Sequence, residues 1–413
     1  MAVPCETIGA LHPTRPTQRR TALSEALATA PSADTSDQDI IYPGAVPFVL
    51  AHLACFAAIW TGVTAEAVGI AFALYWLRMI GVTAGYHRYF AHRTYKTSRV
   101  GQFLIALLAQ SSAQRGPIWW AAVHRAHHKY SDTELDHHSP LHKGFLFSHM
   151  GWIFTERSGR PDYSAVSDLT QYPELVWLDR HEYAPAVALG VGVWWFAGWT
   201  GLVVGFLWST VVLWHCTFFI NSLAHVHGSQ PYLTGDDSRN NWWLAVITCG
   251  EGWHNNHHAY QSSTRQGFRW YQLDFTYYVL RALSWTGLVR DLRSPPTEVV
   301  NNERRLGRLV VKQVARQLAE TFPAERMAIQ LRHAWEGHPT WPEIQQKLQP
   351  GAGHWRSHFQ LQGLPTFDEI RRRAAERFPV PEVSLDEVAE HARQLVIQAV
   401  SIQILGDPNL ATA

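Results

Sequence analysis

The stretch HRAHHKYSDTELDHH carries histidines at His124, His127, His128, His137 and His138. The first three are spaced i, i+3, i+4, so they share one face if the stretch is helical. A later stretch, GEGWHNNHH, repeats that spacing with His254, His257 and His258. HRYFAH adds His87 and His92, and NSLAHVH adds Asn221, His225 and His227. Surface helices rarely need such clusters, and cores rarely tolerate them, so the triplets point to a shared metal site. One metal takes about four to six ligands. Two triplets, the pair and His225 supply more than that, which fits two metals better than one. Neutral imidazole suits zinc, copper, iron or nickel, so ligand type leaves the metal open. His137, His138, His142, His149, His215 and His227 stand apart as candidates for orienting ligands through hydrogen bonds.

Four apolar runs must position these histidines. AVPFVLAHLACFAAIWTG (45–62) pairs with AVGIAFALYWLRMIG (67–81), and APAVALGVGVWWFAGW (184–199) pairs with LVVGFLWSTVVLWHCTFFI (202–220). Each approaches the roughly 20 residues that cross about 30 Å of hydrocarbon. Transmembrane helices are expected near 45–63, 66–84, 184–200 and 202–222. The joining loops, TGVTAE and TG, carry no Lys or Arg. Apart from Arg78, the basic residues lie outside the pairs, so the N-terminus, residues 84–183 and the C-terminus are expected on the cytoplasmic side. All the histidine sets then lie on that one side, just beyond the helix ends. VGQFLIALLAQSSA (100–113) is too short to span and is expected in the interface or under the bundle.

Composition narrows the class further. Net charge is +1, so no global field favours nucleic acid. Cys5, Cys55, Cys216 and Cys249 form no CxxC pair, which argues against thiolate zinc or a disulfide framework. The 19 tryptophans suit membrane interfaces as well as cores. Residues 1–42 are polar, lack the apolar core of a signal peptide, and are expected to be a disordered tail. Residues 298–413 read as a soluble helical extension. Leu306, Leu309, Val310, Val314 and Leu318 fall at helical spacing, and Thr366 with Glu369 and Ser384 with Glu387 read as capping boxes. The extension offers no ligand motif, so its removal is expected to leave the metal site intact. The expected fold is all-α: an integral-membrane four-helix bundle, a cytoplasmic helical cap holding a histidine-rich di-metal site, and the C-terminal extension.

HRYFAH, HRAHHKYSD, NSLAH and GEGWHNNHH, in this order around two apolar pairs, resemble the membrane fatty acyl desaturases of the stearoyl-CoA Δ9 type. GVTAGYHRYFAHRTYK and GFLFSHMGW extend the resemblance, which covers residues 43–297. It implies a non-haem di-iron centre. The ligands would be His87, His92, His124, His127, His128, His225, His254, His257 and His258, with Asn221 reaching one iron through water. O2 would be the co-substrate, and a cis double bond, most simply at Δ9 of an acyl-CoA, the product. Tyr75 and Met79 would close the acyl tunnel, and Gln114, Trp120, Thr217 and Phe218 would line it. Arg125 would meet the carrier headgroup. The family's headgroup loop has an Arg/Lys pair where HSPLHKG gives His142 and Lys143, and Val123 stands where animal enzymes carry Asp. The chain has no GxGxxG after a strand and no cysteine cluster, so electrons are expected from an external ferredoxin, rubredoxin or cytochrome b5. The alternatives are a histidine-box lipid hydroxylase or ketolase, and a non-catalytic membrane metal-binding protein.

Overall fold

The computed structural model describes residues 45–159, 161–335 and 364–405, and the tail expected at 1–42 lies outside them. Among the described residues the chain is all-α apart from one two-stranded antiparallel ribbon. Helix α1 (Ala45–Cys55) leads through a short turn of helix to Gly62, and Thr64 caps α2 (Ala65–Ile80) by accepting the Ala67 N–H at 3.2 Å. The winding of α2 then opens to a π-helix over Gly81–Ala91. Strand β1 (Lys96–Thr97), α3 (Arg99–Gln110), α4 (Pro117–Tyr130) and α5 (Pro173–Arg180) follow. Helix α6 (Ala184–Thr200) continues as a π-helix (Gly201–Trp208) into α7 (Ser209–Ser222). Next come α8 (Trp242–Ile247), α9 (His254–Ala259), α10 (Phe275–Trp285) and β2 (Val289–Arg290), which pairs with β1. The extension holds α11 (Arg308–Ala319), α12 (Ala324–Trp335), α13 (Phe367–Arg377) and α14 (Glu382–Leu405).

Among the described residues, two helical runs are long and apolar enough to cross a membrane, Ala65–Ala91 and Ala184–His225. Gly198 (φ 62, ψ −162) breaks the second run, and its two parts pack on each other as a hairpin. The α1 run, Ala45–Thr61, is shorter. Large apolar side chains project outward from these helices, with Ile59 76%, Phe72 68% and Phe196 89% exposed. Inside, Arg78 is fully buried and gives its guanidinium to Thr210 Oγ1 and Ser209 Oγ, each at 2.6 Å, which ties α2 to α7. His52, His215 and His149 form a second tie: His52 Nε2 lies 3.0 Å from His215 Nε2, and His215 Nδ1 lies 2.9 Å from His149 Nε2.

The main apolar core runs from Met79 through Tyr86 and Phe90 to Leu213, Trp214 and Phe218, with residues of α3, α4 and α5. A second, separate core joins Val311, Leu318, Leu331, Ile370, Val388 and Val396 of the extension. Thr366 caps α13 as its sequence suggests, accepting the Glu369 N–H at 3.2 Å. Ser384 does not cap. Helix α14 starts at Glu382, directly after Pro381, and Ser384 Oγ instead accepts the Leu306 N–H at 2.9 Å. Proline at the residue before a helix fixes the entry, so the start moves ahead of the serine.

Candidate metal centre

The segments that carry the histidines are held tightly. Helix α4 begins with Pro117, and its first N–H groups have no intrahelical acceptor. Asp179 of α5 supplies one: its Oδ1 accepts from Ile118 and Trp119 at 3.1 and 3.0 Å. Gly116 permits that approach, since a Cβ there would lie 2.2 Å from Asp179 Oδ1. Helix α9 is anchored by the two residues inside HNNHH. Asn255 exchanges hydrogen bonds with the backbone of Tyr232, at 2.9 and 3.0 Å. Asn256 bonds Asn240, Gln266 and Gln272. Gly252 lets this turn pass α8 so closely that a Cβ would lie 2.0 Å from Ala245 N.

All nine candidate imidazoles converge, in two groups whose donor atoms each lie within 4.8 Å of one another. The first group is His87, His92, His124, His128 and His257; the second is His127, His225, His254 and His258. The two triplets are used crosswise. On α4, residues i and i+4 (His124, His128) join the first group and i+3 (His127) the second. On α9, i and i+4 (His254, His258) join the second and i+3 (His257) the first. One helical turn thus feeds both groups, because i+3 sits to the side of the i, i+4 line.

The donor chemistry fits bound cations. In the first group Nε2 faces Nε2 along His87–His257–His128–His124–His92, at 2.9–3.0 Å. His225 and His254 face each other likewise at 3.0 Å, and His258 Nε2 is buried with no hydrogen-bond partner. Four of the rings have Nδ1 against a carboxylate. His87 meets Glu251, His127 meets Asp136 at 3.1 Å, His225 meets Asp132 at 2.7 Å, and His258 meets Asp236 at 2.6 Å. Those carboxylates hold the proton on Nδ1 and turn the Nε2 lone pair inward, the usual support of a ligating histidine. Burial, followed by neighbouring imidazoles, lowers His92, His124, His128, His254 and His257 well below the ordinary histidine value. They therefore stay neutral, as metal ligands must. Burial would raise Asp136 and Asp236, but the adjoining His127 and His258 outweigh it and hold them well below the usual carboxylate range.

An apolar cavity opens beside the first group, with a volume of about 900 Å³ counting its mouth. Gln114, Trp120, Thr217, Phe218 and Asn221 all line it, together with His124. Trp120 stacks on His124 at 4.8 Å, and Gln114 donates to Thr217 Oγ1 at 3.2 Å across the cavity. Tyr75 and Met79 do not line it. Tyr75 donates to Ile247 O at 2.5 Å, while Met79 is buried in the apolar cluster that contains the cavity walls Trp214 and Phe218. Arg125 has all five donors engaged, with Phe90 O, Ala91 O, Ala165 O and both oxygens of Asp168. In this conformation it offers none to a headgroup.

Sequence reasoning missed the four carboxylates. Asp132, Asp136 and Glu251 adjoin the triplets, and that closeness was a usable signal. Asp236 arrives from a loop, 22 residues from His258, and carries no such signal.

Residues 46–289 match the fatty acid desaturase family model. The chain belongs to the fatty acid desaturase family. It is 37% identical over 242 residues to an sn-1 stearoyl-lipid 9-desaturase of Anabaena variabilis, covering 58% of this chain and 89% of that protein. It is 39% identical over 253 residues to a palmitoyl-monogalactosyldiacylglycerol delta-7 desaturase of Arabidopsis thaliana, covering 60% of this chain and 66% of the other. An acyl-CoA C20 Delta5-desaturase of Anemone leveillei is 38% identical over 236 residues, covering 55% and 73%. As a family member the chain is an oxidoreductase of fatty acyl chains, and its apolar helices fit a membrane protein. Residues beyond 289 lie outside the family match.

Proposed function

We propose that this chain introduces a cis double bond, at or near Δ9, into a saturated acyl chain, with acyl-CoA as the substrate. The observation that carries the reading is the apolar cavity ending against His124, one of nine inward-facing imidazoles. The overall change is balanced as one saturated chain, O2, two electrons and two protons giving one alkene and two waters. Two iron ions, held as five and four imidazoles with Asn221 near one of them, would supply O2 reduction and the oxidising power for hydrogen removal. The protein does the rest. Asp132, Asp136, Asp236 and Glu251 keep Nδ1 protonated and Nε2 free. Phe48, Trp214 and Phe218 exclude water and hold methylenes, and Trp120 fixes the His124 ring. Tyr75 and Met79 pack in the apolar cluster that contains Trp214 and Phe218 and would limit chain length.

In this reading four helices cross the bilayer, 45–61, 65–91 and the two arms of the Gly198 hairpin. Exposed Ile59, Phe72 and Phe196 face lipid. Both termini and the histidine cap are cytoplasmic, where a ferredoxin, rubredoxin or cytochrome b5 delivers electrons. Residues 298–413 are a separate unit in this reading, and their described helices α11–α14 share a core of their own. A second reading makes the acyl group lipid-borne rather than a thioester. It is favoured by the engagement of all five Arg125 donors, which removes one cation from a CoA site.

Expression in a host lacking desaturase, followed by lipid mass spectrometry with double-bond location, tests the proposal. Loss of two mass units at one position supports it. A gain of sixteen would assign a hydroxylase, and no change would leave a metal-binding protein without this activity. Purified protein supplied with acyl-CoA or with glycerolipid then separates the two carriers.

A further inference from the structure

The helical extension lies outside the desaturase match and carries no ligand motif, yet, against the expectation that its removal leaves the metal site intact, it touches the metal centre's support. The contact runs through the loop 229–240. Thr234 and Asp236 face inward along this loop. Thr234 Oγ1 donates to Asp236 Oδ1 at 2.6 Å, and Asp236 Oδ2 holds His258 Nδ1 at 2.6 Å. The next residue, Asp237, donates its N–H to Asp132 Oδ2 at 2.8 Å, and that same oxygen holds His225 Nδ1 at 2.7 Å. Leu233 and Gly235 alternate with these and face outward. Leu233 packs into the extension's apolar core. Gly235 (φ +87) lies against α11, where a Cβ would be 3.2 Å from Val310 Cγ2 and 3.5 Å from Gln313 Oε1. Further ties hold the start of the extension: Tyr232 Oη and Arg269 Nη2 both donate to Val300 O, at 2.9 and 2.7 Å.

We propose that the extension is a clamp on the second imidazole group, acting through this loop to hold Asp236 and Asp132 against His258 and His225. Leu233 and Val310 are positioning residues in this account, not ligands. The loop is the middle layer of a sandwich, with the imidazoles on one side and α11 on the other. Its inner grip is local, through Thr234, Ser238 and the Asn255–Tyr232 pair. The outer grip comes from the extension. The first group has no such dependence. Its carboxylate, Glu251, is fixed by Arg88, itself paired with Asp274, and all three lie within the family match. Removing support behind a ligating histidine typically weakens metal binding by about 10–100-fold. Undocking the extension therefore loosens one metal and spares the other.

The inference rests on the second group being a metal site. The test uses full-length protein loaded with ferrous iron without oxygen, then mixed with excess ferrous chelator, and follows release of each ion. The variant is Leu233→Ser with Val310→Glu; Val310→Leu is the conservative control. Limited proteolysis reports whether the extension has come away. The expected result is an undocked extension and one ion released about 10-fold faster or more, with the other unchanged and the control like wild type. An undocked extension with both ions released at wild-type rates overturns the clamp. So does faster release of both together, which would be general loosening. An extension that stays docked in the double variant overturns the claim that this contact holds it. Wild-type protein that binds no second ion would instead overturn the metal-site reading.

Discussion

The two imidazole groups are built on different principles. The first takes His87 from a π-helix, His92 from its end, and His124, His128 and His257 from α4 and α9. Its supporting carboxylate, Glu251, sits in the same motif as His257 and is paired with buried Arg88. The second takes His225 from the turn after α7 and relies on Asp132, Asp136 and Asp236, which come from loops. Helical segments, one of them π-wound, set the first group almost alone. The second shares α4 and α9 for three of its four imidazoles but depends on His225 from a turn and on three loop carboxylates, so its geometry has more ways to fail. Two groups of the same ligand type can thus differ in how independently they hold a metal.

Substituting one donor from each group gives the largest effect and the sharpest break between them. His257→Ala and His127→Ala are both expected to abolish desaturation, because the chemistry needs both ions. Their metal contents should differ: His257→Ala keeps the second ion and His127→Ala keeps the first, read as iron per chain. If either change empties both groups, the groups are not separate sites. The supports come next. Glu251→Gln and Asp236→Asn are each expected to weaken iron binding about 10–100-fold, in the first and second group respectively. Equal weakening of both ions by Asp236→Asn would erase the distinction.

Acid gives a smaller, shared effect. His92, His124, His128, His254 and His257 are lowered in the folded chain, so the unfolded chain binds more protons below about pH 6.5. Stability of metal-free protein should fall as pH drops through that value. Asp136 and Asp236 are held low, so their contribution is present above about pH 4 and is lost below it. His127 runs the other way, raised by Asp136 against the cost of burial, and is outnumbered. Iron should suppress the first loss, since protons compete with metal for the same lone pairs. Thermal melting from pH 7.5 to 5, with and without iron, checks this; identical slopes would argue against metal at these rings. The smallest effect concerns Met79, which packs in the same apolar cluster as the cavity walls Trp214 and Phe218. Met79→Ala should shift products modestly toward longer chains, at roughly 0.8 kcal/mol per added methylene accommodated. An unchanged ratio in a mixture of saturated chain lengths would remove Met79 from the tunnel.

Much of this was legible in the sequence because periodicity is local. The i, i+3, i+4 spacing at residues 124–128 and 254–258 predicts a shared face, and the four apolar runs predict helices. Other features depend on contacts between distant segments and leave no local trace. Asp236 reaches His258 only because the loop 229–240 folds back against α9. The π winding over Gly81–Ala91 has no simple periodic signature, although Gly81 and Gly85 lie directly against α3. Ser384 fits a cap by type but is used to dock Leu306. Arg125 reads as an available cation, but Asp168, 43 residues away, engages it.

The number of ferrous ions bound per chain tests the central claim most directly. Titration of purified, metal-free protein without oxygen, followed by the spectroscopic change of imidazole-bound iron, should break at two ions per chain. A break at one ion, or no binding to the histidines, would contradict the account of five and four imidazoles as paired sites.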